Sequence, residues 1–207
     1  MHAGGGSLPD RNGAVRGSMV ALIGLPGAGK TVVAPLLATR LGGRSVDLDA
    51  AIERAAGRRV PELLRDEGEA AFRAREFEAL RAATAPAPAT TAAAGSRGRL
   101  VVACGGGIVT HAASCDALRD GATVVWLRVS PEGAMERLGA SGVAWRPLLG
   151  EPGVSGAMER LRALLAEREP LYRELAAVSV DTSGRTPEDV AAAVERALRT
   201  RWDASES

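Results

Sequence analysis

The chain has 207 residues, 46% of them hydrophobic, which is enough for one well-buried domain and little more. Its 26 basic and 25 acidic residues leave a formal net charge of +1, and the arginines are spread along the chain, which excludes a basic nucleic-acid or membrane-surface binder. Apolar runs such as "TVVWLRV" (123–129) fall far short of the roughly 20 residues a membrane helix requires. No charged-then-apolar signal segment opens the sequence, so a soluble cytoplasmic protein is expected.

Residues 1–18 are rich in Gly and Ser without apolar periodicity and are expected to be a disordered leader before a domain spanning 19–202, with 203–207 as a flexible tail. Five valine-rich apolar runs read as buried strands: 19–24, 44–48, 100–104, 123–129 and 177–182. Helical patterns are expected near 30–41, 49–82, 112–119, 131–139, 157–175 and 187–201. The alternation predicts an α/β protein, a three-layer α-β-α sandwich around a five-stranded parallel sheet. Between the second and third strands, "AATAPAPATTAAAGSRGR" (82–99) combines prolines with small residues and reads as an extended surface loop. In such sheets ligands collect at the carboxyl ends of the strands, so the loops there are where chemistry is expected.

After the first strand comes "GLPGAGKT" (24–31), a full match to G-x-x-x-x-G-K-[ST] between a strand and a helix. Its glycines let backbone N–H groups converge on phosphate oxygens, the helix adds its positive end, and Thr31 offers a hydroxyl to Mg²⁺. Lys30 is the only lysine in the chain. A compact ammonium on a flexible stem reaches phosphates inside a tight loop where a planar guanidinium does not fit, so the position marks a steric requirement.

At the end of the second strand Asp47 and Asp49 stand two apart, a spacing that points both side chains the same way from an extended chain. One can hold a metal's water shell while the other faces a substrate hydroxyl, and Asp49 is also placed to cap a helix starting at Ala50. Glu69, Arg73 and Glu76 have the spacing of ordinary helix ion pairs. Gly105, Gly106 and Gly107 follow the third strand and bare backbone N–H groups to a close ligand. Cys104 and Cys115 have neither disulfide-framework nor zinc spacing and read as free thiols, and His2 and His111 have too few partners for a catalytic or metal role.

With "DLDAAIE", "GEAAFRAREFEAL", "ACGGGIV", "WRPLL" and "EREPLYRELA" following the phosphate loop in order, the chain resembles the shikimate kinases, small P-loop kinases related to the nucleoside monophosphate kinases, over about residues 19–200. That resemblance implies a P-loop fold with a mobile lid at about 139–155. It implies transfer of the γ-phosphoryl of ATP to the 3-hydroxyl of shikimate, giving ADP and shikimate 3-phosphate on the route to chorismate and the aromatic amino acids. Position by position, it makes Asp49 the contact to the shikimate hydroxyls and the candidate general base, and Asp47, through water, with Thr31 the Mg²⁺ site. Arg73 and Arg168 fall to the shikimate carboxylate, Glu76 supports Arg73, and Gly105, Gly106 and Gly107 line the substrate. Gly27, Ala28, Gly29, Lys30, Thr31 and Val32 fall to ATP, Arg146 is the lid arginine over the phosphates, and Arg185 lies near the base or ribose, with Arg137 as an alternative there. Lys30, Asp49 and Arg146 are the implied catalytic set. The partners implied are ATP and shikimate, with no nucleic acid or membrane, and a monomer is expected. A gluconate or nucleoside monophosphate kinase would share the phosphate loop but lack Arg73 and Arg168 together with the triple glycine. A non-catalytic module would be expected to have lost Lys30, Asp49 or Arg146, all of which are present.

Overall fold

The computed structural model describes residues 19–85, 99–144 and 154–205. Among them five strands, β1 (Met19–Ile23), β2 (Arg44–Asp47), β3 (Leu100–Ala103), β4 (Ala122–Arg128) and β5 (Val178–Asp181), form one all-parallel sheet in the order β2-β3-β1-β4-β5. Among the described residues seven α-helices flank it: α1 (Lys30–Arg40), α2 (Leu48–Ala56), α3 (Val60–Thr84), α4 (Ala112–Gly121), α5 (Pro131–Ala144), α6 (Val154–Leu175) and α7 (Pro187–Ser205).

β1 is central and every one of its five residues is buried, as a parallel strand covered on both faces must be. Its alternate residues feed two separate cores. Val20 and Leu22 pack with Leu37, Leu127, Leu161 and Leu198 on one face, while Met19, Ala21 and Ile23 pack with Leu80, Leu118, Trp126 and Tyr172 on the other. A third small cluster, Ile52, Leu63 and Phe72, joins α2 to α3 beside the sheet.

The segment predicted as one helix over 49–82 is two. Gly57, at φ 64, closes α2 with its N–H on the Glu53 carbonyl, and α3 opens after Arg59 with Pro61 in its first turn and the Glu62 side chain accepting from the Arg59 N–H. α3 also kinks at Gly68, at φ 83, which a side chain would resist, so the turn bearing Glu69 and Arg73 sets off in a new direction.

α3 continues to Thr84, so the predicted loop over 82–99 begins later than expected, and 86–98 lie outside the described residues. Arg44 spans the two ends of that stretch: its Nη2 donates to the Ala83 carbonyl and its backbone N–H to the Arg99 carbonyl. Likewise α5 runs past the predicted 139 to Ala144, although Gly139 (φ 59, ψ −178) interrupts it, and α6 starts at Val154 rather than 157. α7 extends through Ser205 into the predicted tail, and just before that tail Trp202 stacks on the Arg99 guanidinium at 3.6 Å.

Candidate active site

A cleft of about 420 Å³ opens at the carboxyl ends of the strands, where a doubly wound sheet places its ligands. The predicted Gly27, Ala28, Gly29, Lys30, Thr31, Val32, Asp47, Asp49, Gly105, Gly106 and Arg185 all line it, joined by Arg137.

The loop from Gly24 to Gly29 turns directly into α1, whose first turn carries no acidic residue, so the helix presents bare N–H groups and its positive end to an anion. Gly27 sits at φ 82, and a side chain there would come within 2.6 Å of the Ala134 carbonyl of α5, so only glycine fits. Lys30 is 9% exposed, and its Nζ donates to the Gly24 carbonyl at 2.7 Å and the Leu25 carbonyl at 2.9 Å. The ammonium is thereby folded back over the loop, where an incoming phosphate would meet it.

Beside it the Thr31 hydroxyl donates to Asp47 Oδ2 at 2.7 Å, while Asp47 Oδ1 accepts from the Ala50 N–H at 3.1 Å. The helix cap is therefore Asp47, and Asp49 lies inside the first turn of α2. The extended-chain argument for their shared direction is corrected accordingly: one carboxylate caps and the other follows on the helix, yet both reach the cleft. The hydroxyl and carboxylate form a hard oxygen pair of the kind Mg²⁺ takes when phosphates and water complete its shell. No group of three or more His, Cys, Asp or Glu that could hold a metal ion occurs among the described residues.

Behind the glycine loop lies a buried ionic cluster. Arg73 Nη1 donates to Glu76 Oε2 and Nη2 to Glu69 Oε1, both at 2.8 Å, and Arg168 stands 3.9 Å from the same Glu69 oxygen. Arg73 is 5% exposed, Glu76 0% and Arg168 2%. The cluster explains the glycines. A side chain at Gly105 would overlap Glu76 Oε1 and stand 3.2 Å from Asp49 Oδ1, and one at Gly107 would overlap the Arg73 guanidinium. Burial pushes the Glu76 carboxyl up to about 7, against the pull of Arg73 and with the push of Asp49. Burial works against the Arg73 charge too, but Glu76 and Glu69 outweigh it and its pKa is raised.

Arg73 Nε and Arg168 Nε are buried without a hydrogen-bond partner, and the nearest carboxylate to the latter, Glu167, is 3.5 Å away. Glu76 Oε1 is likewise buried without a partner, so two guanidinium donors from different helices and one carboxylate acceptor keep hydrogen-bonding capacity beyond the ion pairs they already make. Neither these arginines nor Glu76 and Gly107 line the cleft proper; they adjoin it across the loop of Gly105 and Gly106.

On the opposite side, Arg137 Nη1 donates to the Thr182 hydroxyl at 2.8 Å, Nη2 to the Thr182 carbonyl, and Nη1 reaches the Gly27 carbonyl at 3.5 Å. Arg137 thus ties α5 to both the phosphate loop and the end of β5. Arg185 lines the same side of the cleft, with Pro187. Arg146 lies outside the described residues.

Both cysteines are free, as expected, and Cys104 forms part of the cleft lining as a thiol that burial pushes to high pKa and keeps neutral. Sequence reasoning missed Tyr172, whose hydroxyl donates to the Gly106 carbonyl from α6. The signal was available: it is the only tyrosine in the chain and stands one helical turn after Arg168.

The family model for shikimate kinase matches residues 26–199. A shikimate kinase of Symbiobacterium thermophilum is 41% identical over 184 residues, covering 89% of this chain and 98% of that protein. One of Mycobacterium marinum is 41% identical over 182 residues, covering 88% of each. Among solved structures, a shikimate kinase from Acinetobacter baumannii in complex with shikimate superposes with a TM-score of 0.77 at 34% identity, covering 88% of this chain and 93% of that one. The phosphate loop, the sheet order and the kinship agree: the chain belongs to the shikimate kinase family and is an ATP-dependent kinase.

Proposed function

We propose that the chain transfers the γ-phosphoryl group of ATP to the 3-hydroxyl of shikimate, with the residues above in the following roles. The observation that carries the substrate is the pair of buried arginines, Arg73 and Arg168, whose Nε donors have no hydrogen-bond partner in the protein. Shikimate brings one carboxylate, which a planar guanidinium fork binds on two atoms. Its hydroxyls then fall to Asp49 and the glycine loop, which adjoin each other at Gly105.

Asp49 accepts the proton of the attacking hydroxyl. The hydroxyl oxygen forms its bond to the γ-phosphorus as the bond from that phosphorus to the β-bridging oxygen breaks, and ADP leaves with the electron pair. Lys30 and the N–H groups at the start of α1 hold the phosphates and meet the charge that shifts onto the bridging oxygen. Thr31 and Asp47 would hold Mg²⁺, which supplies charge neutralisation on the phosphates. Arg146 serves as the lid arginine on the strength of its place in "WRPLL". Arg185 and Arg137 take the nucleoside side, which their place in the cleft supports.

No described helix is long and apolar enough to cross a membrane. The nearly neutral composition, with no basic tract, goes with a small-molecule enzyme rather than a nucleic-acid binder, and a cytoplasmic monomer is part of the same reading. The test is ADP release coupled to NADH oxidation with and without shikimate. Release that depends on shikimate, with shikimate 3-phosphate as product, is expected, and ATP turnover indifferent to shikimate would overturn the reading.

A further inference from the structure

Tyr172 is fully buried in the middle of the structure, with its ring stacked on Trp126 of β4 at 5.8 Å between centroids and 29° between planes. A tyrosine so deeply placed must satisfy its hydroxyl. It does so by donating to the Gly106 carbonyl, and the Arg168 guanidinium, one turn earlier on α6, interacts with the phenol itself. Burial pushes the phenol far above its ordinary pKa, so it remains a neutral donor throughout the working pH range.

Arg168 needs such an anchor. Pro170 stands inside α6 between Arg168 and Tyr172, and it removes one N–H from the helical ladder just where the arginine must be held. Gly106 needs one too, because a glycine in a run of three has little intrinsic preference for any backbone orientation. In a trans peptide the Gly107 N–H points opposite to the Gly106 carbonyl, so fixing one fixes the other.

We infer that Tyr172 is a positioning residue that locks the Arg168 guanidinium and the Gly106 peptide into one arrangement, so that the carboxylate and the ring of shikimate are received in register. The inference rests on the shikimate reading of the site. Tyr172 touches no reacting atom and acts through Arg168 and Gly106.

Tyr172→Phe keeps the ring and its stacking and deletes only the hydroxyl. Titration calorimetry should show the shikimate dissociation constant rising about three- to tenfold, with that for ATP within about twofold of wild type. The wild type should prefer shikimate to its carboxamide, and the variant should lose part of that preference, a readout that simple loss of stability does not move. A second measurement needs no variant. Because Tyr172 is the only tyrosine, biosynthetic 3-fluorotyrosine labels it alone, and its single ¹⁹F resonance should shift on adding shikimate. Wild-type binding with an indifferent Tyr172→Phe, equal weakening of shikimate and carboxamide, or a resonance unmoved by saturating shikimate each overturns the inference alone. A wild type that does not bind shikimate overturns the functional reading and this inference with it.

Discussion

Replacing Lys30 by arginine preserves the charge and tests the geometry alone. The ammonium occupies a spot 9% exposed, bonded to two carbonyls of its own loop at 2.7 and 2.9 Å. A guanidinium carries three nitrogens in a plane in place of one, and its central carbon would have to stand about where Nζ now stands. The loop cannot widen to admit it, because Gly27 is already against the α5 backbone, 2.6 Å being all that a side chain there would find to the Ala134 carbonyl. The arginine must therefore turn outward, and the phosphates lose one charged donor in a preorganised site. Such a loss costs about 100- to 1,000-fold in kcat, or about 2.7 to 4 kcal/mol of transition-state stabilisation. The coupled ADP assay measures this, with circular dichroism to show that the fold persists. A folded Lys30→Arg protein with kcat within about threefold of wild type would refute the steric argument.

Arg168→Ala should raise the shikimate dissociation constant at least about tenfold and leave ATP affinity nearly unchanged by calorimetry; the reverse pattern would move Arg168 to the nucleotide side. Glu76 has a folded pKa of about 7 against an ordinary 4.5, so the native state holds an extra proton between those values and loses stability as pH rises through them. Urea denaturation should therefore show the stability of wild type relative to Glu76→Gln shrinking by up to about 3 kcal/mol between pH 4.5 and 8. A relative stability that grows over that interval contradicts the burial argument. Replacing 86–98 by a short Gly/Ser link should preserve the melting temperature and kinase activity, because Arg44 already holds the backbone at both Ala83 and Arg99. Activity lost at an unchanged melting temperature would place that stretch at the site.

Much of this was legible in the residues because it is local. The phosphate loop announces itself through glycines whose backbone conformations no other residue adopts, and the strands through valine runs that only a sheet covered on both faces buries. The join between α2 and α3 was also written locally, in Gly57 and Pro61, but the apolar positions on either side keep a helical spacing that hides a three-residue break. Which of Asp47 and Asp49 caps the helix turned on two residues of register, since a helix starting at Leu48 rather than Ala50 takes the earlier carboxylate. Tyr172 was harder for another reason. Its role depends on the Gly106 carbonyl, 66 positions away, and no periodicity along a chain reports a contact between segments so far apart.

The backbone contact between Gly27 and Ala134 divides α5 into a stator and an arm. Up to Leu138 the helix is bolted down, by that contact and by the Arg137 bonds to Thr182, so it cannot slide without dragging the phosphate loop along. Gly139 then breaks the helical backbone, with nothing within 4 Å of where a side chain would be, and so acts as a pivot in open space. A displacement of the last turn, 140–144, would be taken up at Gly139 rather than delivered to the nucleotide seat, leaving the phosphate-holding part of the machine still.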